Sequence, residues 1–204
     1  MLLAIDSSIG TSVALVDRSG RVLSSRDESG HLSHAEVVGS LIRGALDDAG
    51  AEPRDVEAVA SGMGPGPFTG LRIGIAAARA FGVARRIPVV PIVSHDAIAA
   101  AHLERSSGRE LVVVTDARRR EVAWSRYRGT DEGGAVRVSG PELAEREGFV
   151  VDDAERLDAV QVSAVALGRL AGLVLDGHRA AEADRPVYLR APDVTLSTRK
   201  RVSQ

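Results

Sequence analysis

Apolar residues open the chain in short runs. Leu2–Ser7 carries one run with Asp6 near its end, and Ser12–Asp17 carries a second, richer in Val and Leu. Ile9-Gly10-Thr11 supplies a turn between them, and Ser19-Gly20 turns the chain again into Val22–Ser25, so the pattern predicts a three-stranded meander. The period then changes. Val38, Leu41, Ile42, Ala45 and Ala49 recur at helical spacing after Ser33 and Glu36, a capping-box pair, with Gly50 placed to end the helix. Val56–Ser61 predicts a strand leading into Gly62-Met63-Gly64-Pro65-Gly66-Pro67-Phe68, followed by a helix over Gly70–Arg85, a strand over Val89–Val93 and a helix over Asp96–Glu104. The order so far is β-β-β-α-β-α-β-α.

A weaker echo follows. Leu111–Thr115 is an apolar strand ending in Asp116, then come strands at Glu121–Tyr127 and Val136–Val138, a helical stretch Pro141–Glu147, and one long helix over Gln161–Leu175. Asp6 and Asp116 are the matching points of this shortened internal duplication. It divides the chain into lobes over residues 1–107 and 108–204.

The second helix has an unusual surface. Gly70, Gly74, Ala78 and Gly82 form a stripe of small residues, and little polar surface remains beyond Arg72, Arg79 and Arg85. A helix apolar nearly all round must be covered on more than one side. Two covers are open to it: burial inside its own fold, or a partner helix seated on the small-residue stripe.

Composition narrows the chemistry. The chain has 204 residues, 26 basic against 28 acidic side chains and no cysteine. That excludes disulfides, thiolate–zinc sites and cysteine nucleophiles, and gives no dominant nucleic-acid-binding charge. Lys200 is the only lysine, which removes most Schiff-base chemistry, and aromatics at 3% leave few platforms for stacking bases. No run of about 18 apolar residues predicts a membrane span, and the opening residues lack a basic leader, so a cytoplasmic location is expected.

Candidate sites each have a plainer counterpart. The Gly62–Gly70 loop suggests a phosphate cradle, yet Thr69-Gly70-Leu71 stands where a P-loop needs Lys-Ser/Thr, and a rigid connector with Thr69 as helix cap fits as well. His31 and His34, and His95 and His102, lack the companions a metal needs. Asp6 and Asp116 are the best acidic candidates for a Mg²⁺ or catalytic water in an interlobe cleft; turn capping is the alternative. Arg118-Arg119-Arg120 and the tail Arg199-Lys200-Arg201 are basic runs able to touch phosphates, for instance of tRNA, or simply solvated.

Residues Gly62 to Gly74, reading GMGPGPFTGLRIG, strongly resemble the signature of the TsaB family, formerly called glycoprotease-like. Leu3–Leu15, Asp116-Ala117-Arg118 with Glu121-Val122 and Trp124, and Pro186-Val187-Tyr188-Leu189-Arg190 agree in order. The resemblance implies an α/β, actin-like ATPase (ASKHA) fold with a reduced second lobe. It also implies a subunit without catalytic residues, metal or cofactor of its own. Such a subunit pairs with a TsaD-like catalytic paralogue, works with a TsaE-like ATPase, meets tRNA only through the complex, and forms a homodimer in isolation.

Two departures bear on chemistry. The paralogue's His-x-x-x-His segment aligns with His95 and Ala99, so half the ligand pair is missing, and Asp6-Ser7-Ser8-Ile9 replaces the Asp-x-Gly-Thr of actin-like phosphate loops. The expected interface comprises Val38, Leu41, Ile42, Gly70, Gly74 and Ala78, and Asp6 and Asp116 are expected to mark a residual nucleotide/Mg cleft. The competing function is a stand-alone ATP/Mg-dependent acyl or phosphoryl transferase.

Overall fold

A computed structural model describes residues 1–28, 34–106 and 110–190. Strands β1 (Leu2–Asp6), β2 (Thr11–Val16) and β3 (Val22–Glu28) form the expected meander. Helix α1 (His34–Asp48), β4 (Ala58–Gly62), α2 (Phe68–Arg85), β5 (Val89–Ile92) and α3 (Ser94–Leu103) follow. The first sheet has the order β3-β2-β1-β4-β5, with β1 antiparallel to β2 and parallel to β4. Strand alternation sorts its two faces. Leu3, Ile5, Val13, Leu15 and Val59 pack toward α1 and α2, while Ala4, Ala14 and Ala60 turn to the opposite face.

The second half repeats the plan. Strands β6 (Leu111–Asp116), β7 (Glu121–Asp131), β8 (Gly134–Glu145) and β9 (Glu155–Asp158) form a sheet of order β8-β7-β6-β9, and α4 (Ala164–Leu175) closes the described fold. β6 is antiparallel to β7 and parallel to β9, as β1 is to β2 and β4. The duplication therefore holds as topology, with no helix between its third and fourth strands.

Two expectations fail here. Pro141–Glu147 is not helical: β8 runs through Glu145, with Leu143 opposite Ala123 and Ala144 opposite Val122. Its residues favour helix, but pairing along the edge of β7 overrides that weak preference, and Gly140-Pro141 sits where the register shifts between Trp124 and Arg126. Strand β9, with sequence ERLD, was not expected at all, because a four-residue polar edge strand carries no apolar alternation.

The two sheets share one core. Helices α3 and α4 lie among Ala4, Ala14, Ala60, Val90 and Ile92 of the first sheet and Leu111, Val113, Tyr127 and Ala135 of the second. Small residues bring α4 close: a β-carbon on Gly168 would stand 2.8 Å from the Val16 side chain. At the start of α3, Asp96 is fully buried, accepting from the Tyr127 hydroxyl at 2.7 Å and from Arg179 at 2.6 Å, with Arg137 3.6 Å away. This cluster ties a helix from the first half of the chain to strands of the second.

Gly50 adopts the expected left-handed backbone, φ 59°. Ser33, and with it the capping box, lies outside the described residues, as do His31, the His34 side chain, the 107/108 lobe boundary and Arg199-Lys200-Arg201.

Candidate functional site

A cleft of about 810 Å³ opens between the two halves. Ser7, Ile9 and Gly10 of the β1–β2 turn, Pro65–Gly70, Asp116–Arg119 of the β6–β7 turn, and Val187–Arg190 line it. Asp116 and Asp6 do not converge there. Asp116 lies on the wall, largely exposed and paired with Arg146. Asp6 does not line the cleft; its side chain is sealed. One carboxylate oxygen accepts from the Ser8 amide at 2.7 Å and the Ser8 hydroxyl at 2.6 Å, and the other accepts from Ser94 at 2.5 Å. Ser94 in turn accepts the Gly64 amide, so Asp6 fastens the glycine-rich loop and α3 together. Burial pushes the Asp6 carboxyl above its ordinary range, against the hydrogen bonds from Ser8 and Ser94.

A magnesium nucleotide, which an actin-like fold implies for such a cleft, does not fit these residues. Its first wall is already occupied by the protein's own packing. Ser7 Oγ donates to the Gly70 carbonyl at 2.7 Å and accepts the Gly74 amide at 2.9 Å. Gly66 is pressed against Ser8 so closely that a β-carbon would fall 2.7 Å from Ser8 Cα. The hydroxyls and the carboxylate that would meet phosphate and metal are spent on holding loop to helix.

His95 is equally committed. It is fully buried, one ring nitrogen 2.9 Å from Ser125 Oγ and the other 2.9 Å from Thr115 Oγ1. Burial, reinforced by the Arg137 charge, pushes its pKa down to about 3. Among the described residues no cluster of three or more His, Asp or Glu side chains is placed to hold a metal ion.

The glycine-rich loop is a connector. Pro67, not Thr69, occupies the cap position of α2, and Thr69 lies within the helix. α2 then presents four distinct sides. Gly70, Gly74, Ala78 and Gly82 face inward and are buried, with Gly74 on Ser7 and Gly82 on Val89. Leu71 and Ile75 pack with Met63 and Val187 under a strap formed by residues 184–190. Asp184 pairs with Arg79 at 2.8 Å, the Tyr188 hydroxyl accepts from Arg72 at 2.9 Å, and Phe68 and Tyr188 stack at 5.1 Å. Ile73, Ala77 and Phe81 join Val38, Leu41 and Ile42 of α1 in the core on the first sheet. Ala76, Ala80, Val83 and Ala84 remain exposed, Val83 at 79%.

The small-residue stripe expected to meet a partner is thus intramolecular. Gly70, Gly74 and Ala78 are buried in the protein's own fold, Val38 is buried, and Leu41 and Ile42 are half-buried. The outward stripe is a second one, two positions out of phase. Sequence could have offered Ala76-Ala80-Ala84 through the same four-residue spacing, but nothing local sets which stripe turns inward. No helix among the described residues is long and apolar enough to cross a membrane.

Two sheets with the same antiparallel-antiparallel-parallel order and helices packed between them define an α/β protein of actin-like fold. The sequence model of the family described as TsaD, tRNA N6-adenosine threonylcarbamoyltransferase, matches residues 26–184, and the chain belongs to that family, within its TsaB/YeaZ branch. YeaZ from Pseudomonas aeruginosa superposes with TM-score 0.75 at 31% identity, covering 92% of this chain and 99% of that one. The tRNA threonylcarbamoyladenosine biosynthesis protein TsaB of Haemophilus influenzae is 34% identical over 125 residues, 61% of this chain and 52% of that protein. An uncharacterized protein of Mycobacterium tuberculosis is 48% identical over 95 residues, 47% of this chain. The match spans 43% of that mycobacterial relative, and only 28% of one from Mycobacterium leprae.

Proposed function

We propose that this chain is a docking subunit in the threonylcarbamoylation of a tRNA adenosine, without catalytic residues of its own. It would seat a TsaD-like catalytic paralogue on the outward side of α2 and the adjoining edge of α1, and form a homodimer through the same surface when the paralogue is absent. The observation that carries this reading is the division of α2. One small-residue stripe is consumed internally, while Ala76, Ala80, Val83 and Ala84 lie open between the 184–190 strap and α1. Small side chains let a partner helix approach closely, and the flanking Arg72 and Phe68 belong to the residue types that dominate interface energies.

The polar residues support the same conclusion. Asp6, Ser7, Ser94 and His95 are all paired within the protein, so they are structural fasteners. A TsaE-like ATPase and tRNA would then engage the assembled complex, not this chain alone. The tRNA threonylcarbamoyladenosine part of this reading extends to this protein what the names of the Haemophilus and Escherichia coli relatives state of them, and the docking part rests on α2.

Reconstitution tests it. tRNA, threonylcarbamoyl donor, the TsaD and TsaE counterparts from the same organism and this chain should yield modified adenosine, detected by nucleoside mass spectrometry. Omitting this chain should remove the product, and this chain alone should give none. Product formed by this chain alone would restore the stand-alone transferase reading, and undiminished product in its absence would remove the docking role.

A further inference from the structure

Helix α2 carries charge of one sign. Its 18 residues include Arg72, Arg79 and Arg85 and no aspartate or glutamate, and Arg86 follows at its end. The four are answered differently. Arg79 pairs with Asp184, and Arg85 donates to the Pro53 and Arg54 carbonyls. Arg86 lies exposed, beside Val83 in a shallow depression at the helix end. Arg72 is exposed as well and meets no carboxylate among the described residues.

Arg72 is nevertheless held in place. Its guanidinium carbon lies 3.6 Å from the centre of the Phe68 ring and 5.7 Å from that of Tyr188, and its Nε donates to the Tyr188 hydroxyl at 2.9 Å. The two terminal nitrogens have no partner among the described residues. A carboxylate is the group that such a planar fork of donors receives best. Because stacking and the Tyr188 bond already order the side chain, little freedom is lost when a carboxylate docks on it. Arg72 stands one turn before Ala76 and two before Ala80, so this cation heads the exposed stripe of small residues.

We propose that Arg72 takes a carboxylate from the docked partner, so that the α2 face selects an acidic surface over a second copy of this chain. This rests on the docking role of α2 proposed above and adds to it the chemistry of the partner. A second α2 has no carboxylate to offer, and a two-fold pairing of identical faces brings arginines toward arginines. On α1 the exposed acids are Glu36 and Asp47, with Arg43 between them, while Asp48 is taken by Arg26 at 2.6 Å. The homodimer therefore rests on apolar contact against like charge, and the mixed complex on apolar contact aided by opposite charge.

Sedimentation of the intact chain, alone and with its TsaD counterpart, in about 50 and about 500 mM NaCl separates the two contributions. The mixed complex should weaken at least about tenfold in the higher salt, while the homodimer should hold or tighten. In the lower salt Arg72→Gln should weaken the mixed complex at least about tenfold and leave the homodimer as tight or tighter, with its melting temperature within about 4 °C of the parent. Tyr188→Phe removes the bond to Arg72 but not its charge, and should keep the mixed complex within about threefold. The proposal is overturned if the mixed complex ignores salt, if Arg72→Gln leaves it unchanged or weakens the homodimer equally, or if Tyr188→Phe does as much damage as Arg72→Gln. In each of those cases a mixed complex still forms and the docking role stands; no mixed complex with the wild type overturns both.

Discussion

Adding one methyl group at Gly74 tests whether the first small-residue stripe faces inward. The new β-carbon would stand 2.3 Å from Ser7 Oγ, 3.0 Å from Ser7 Cβ and 3.3 Å from its backbone nitrogen. Rotating the hydroxyl away does not solve the clash, because Cβ and nitrogen remain tight. It also forfeits the bonds to the Gly70 carbonyl and the Gly74 amide. Two buried hydrogen bonds contribute about 1 kcal/mol each. Overpacking adds about 1–3 kcal/mol, and alanine's better helix propensity returns about 1 kcal/mol. Gly74→Ala should therefore destabilise by about 2–4 kcal/mol, which for a chain of this length lowers the melting temperature by about 5–15 °C. Thermal unfolding followed by circular dichroism reads it. In a Ser7→Gly background, which removes both the hydroxyl and its β-carbon, most of that loss should disappear, a coupling of about 1–3 kcal/mol. A Gly74→Ala protein as stable as the parent, or one equally damaged with Ser7→Gly, would refute the inward placement.

Further outcomes follow from the buried polar groups. Asp96→Ala leaves Arg137, Arg179 and the Tyr127 hydroxyl without their shared partner and should cost about 3–5 kcal/mol in chemical denaturation; a loss below about 1 kcal/mol would contradict the clamp between α3 and the second sheet. His95, held to a pKa of about 3, stays neutral in the folded protein while the unfolded chain takes up a proton below about pH 6.5. A depressed histidine pKa gives stability that is complete above the unfolded value and is lost as the pH falls toward the folded one. Between pH 7 and pH 5 that loss is about 2 kcal/mol. Burial raises the Asp6 and Asp96 carboxyls and contributes the opposite slope, so the histidine contribution is read as the difference between the wild type and His95→Gln. Equal pH dependence of the two proteins would show that His95 does not titrate this way.

Much of the fold was legible because it obeys local rules. The meander follows from short apolar runs and turn residues and α1 from its helical period, and β1 and β2 are buried along their whole length. What escaped depends on distant partners. Asp6 and Asp116 are equivalent in the sequence pattern, yet Ser94, far along the chain, seals one and Arg146 holds the other at the surface. The helix α2 is apolar around most of its circumference, so it has no polar face to fix its rotation. Ser7 and the 184–190 strap fix it instead, and neither is local to the helix. Pro141–Glu147 carries a helix-forming composition, yet its residues up to Glu145 become strand because they pair along the edge of β7.

Sedimentation of this chain with its TsaD counterpart, for the wild type and for Ala80→Arg, bears most directly on the docking role. The wild type should form a one-to-one complex, and the exposed substitution should weaken it at least about thirtyfold, the loss expected at an interface hot spot. The variant's own stability should stay within about 0.5 kcal/mol of the parent, as for other surface changes. A complex of unchanged affinity in Ala80→Arg, or no complex with the wild type, would contradict the account.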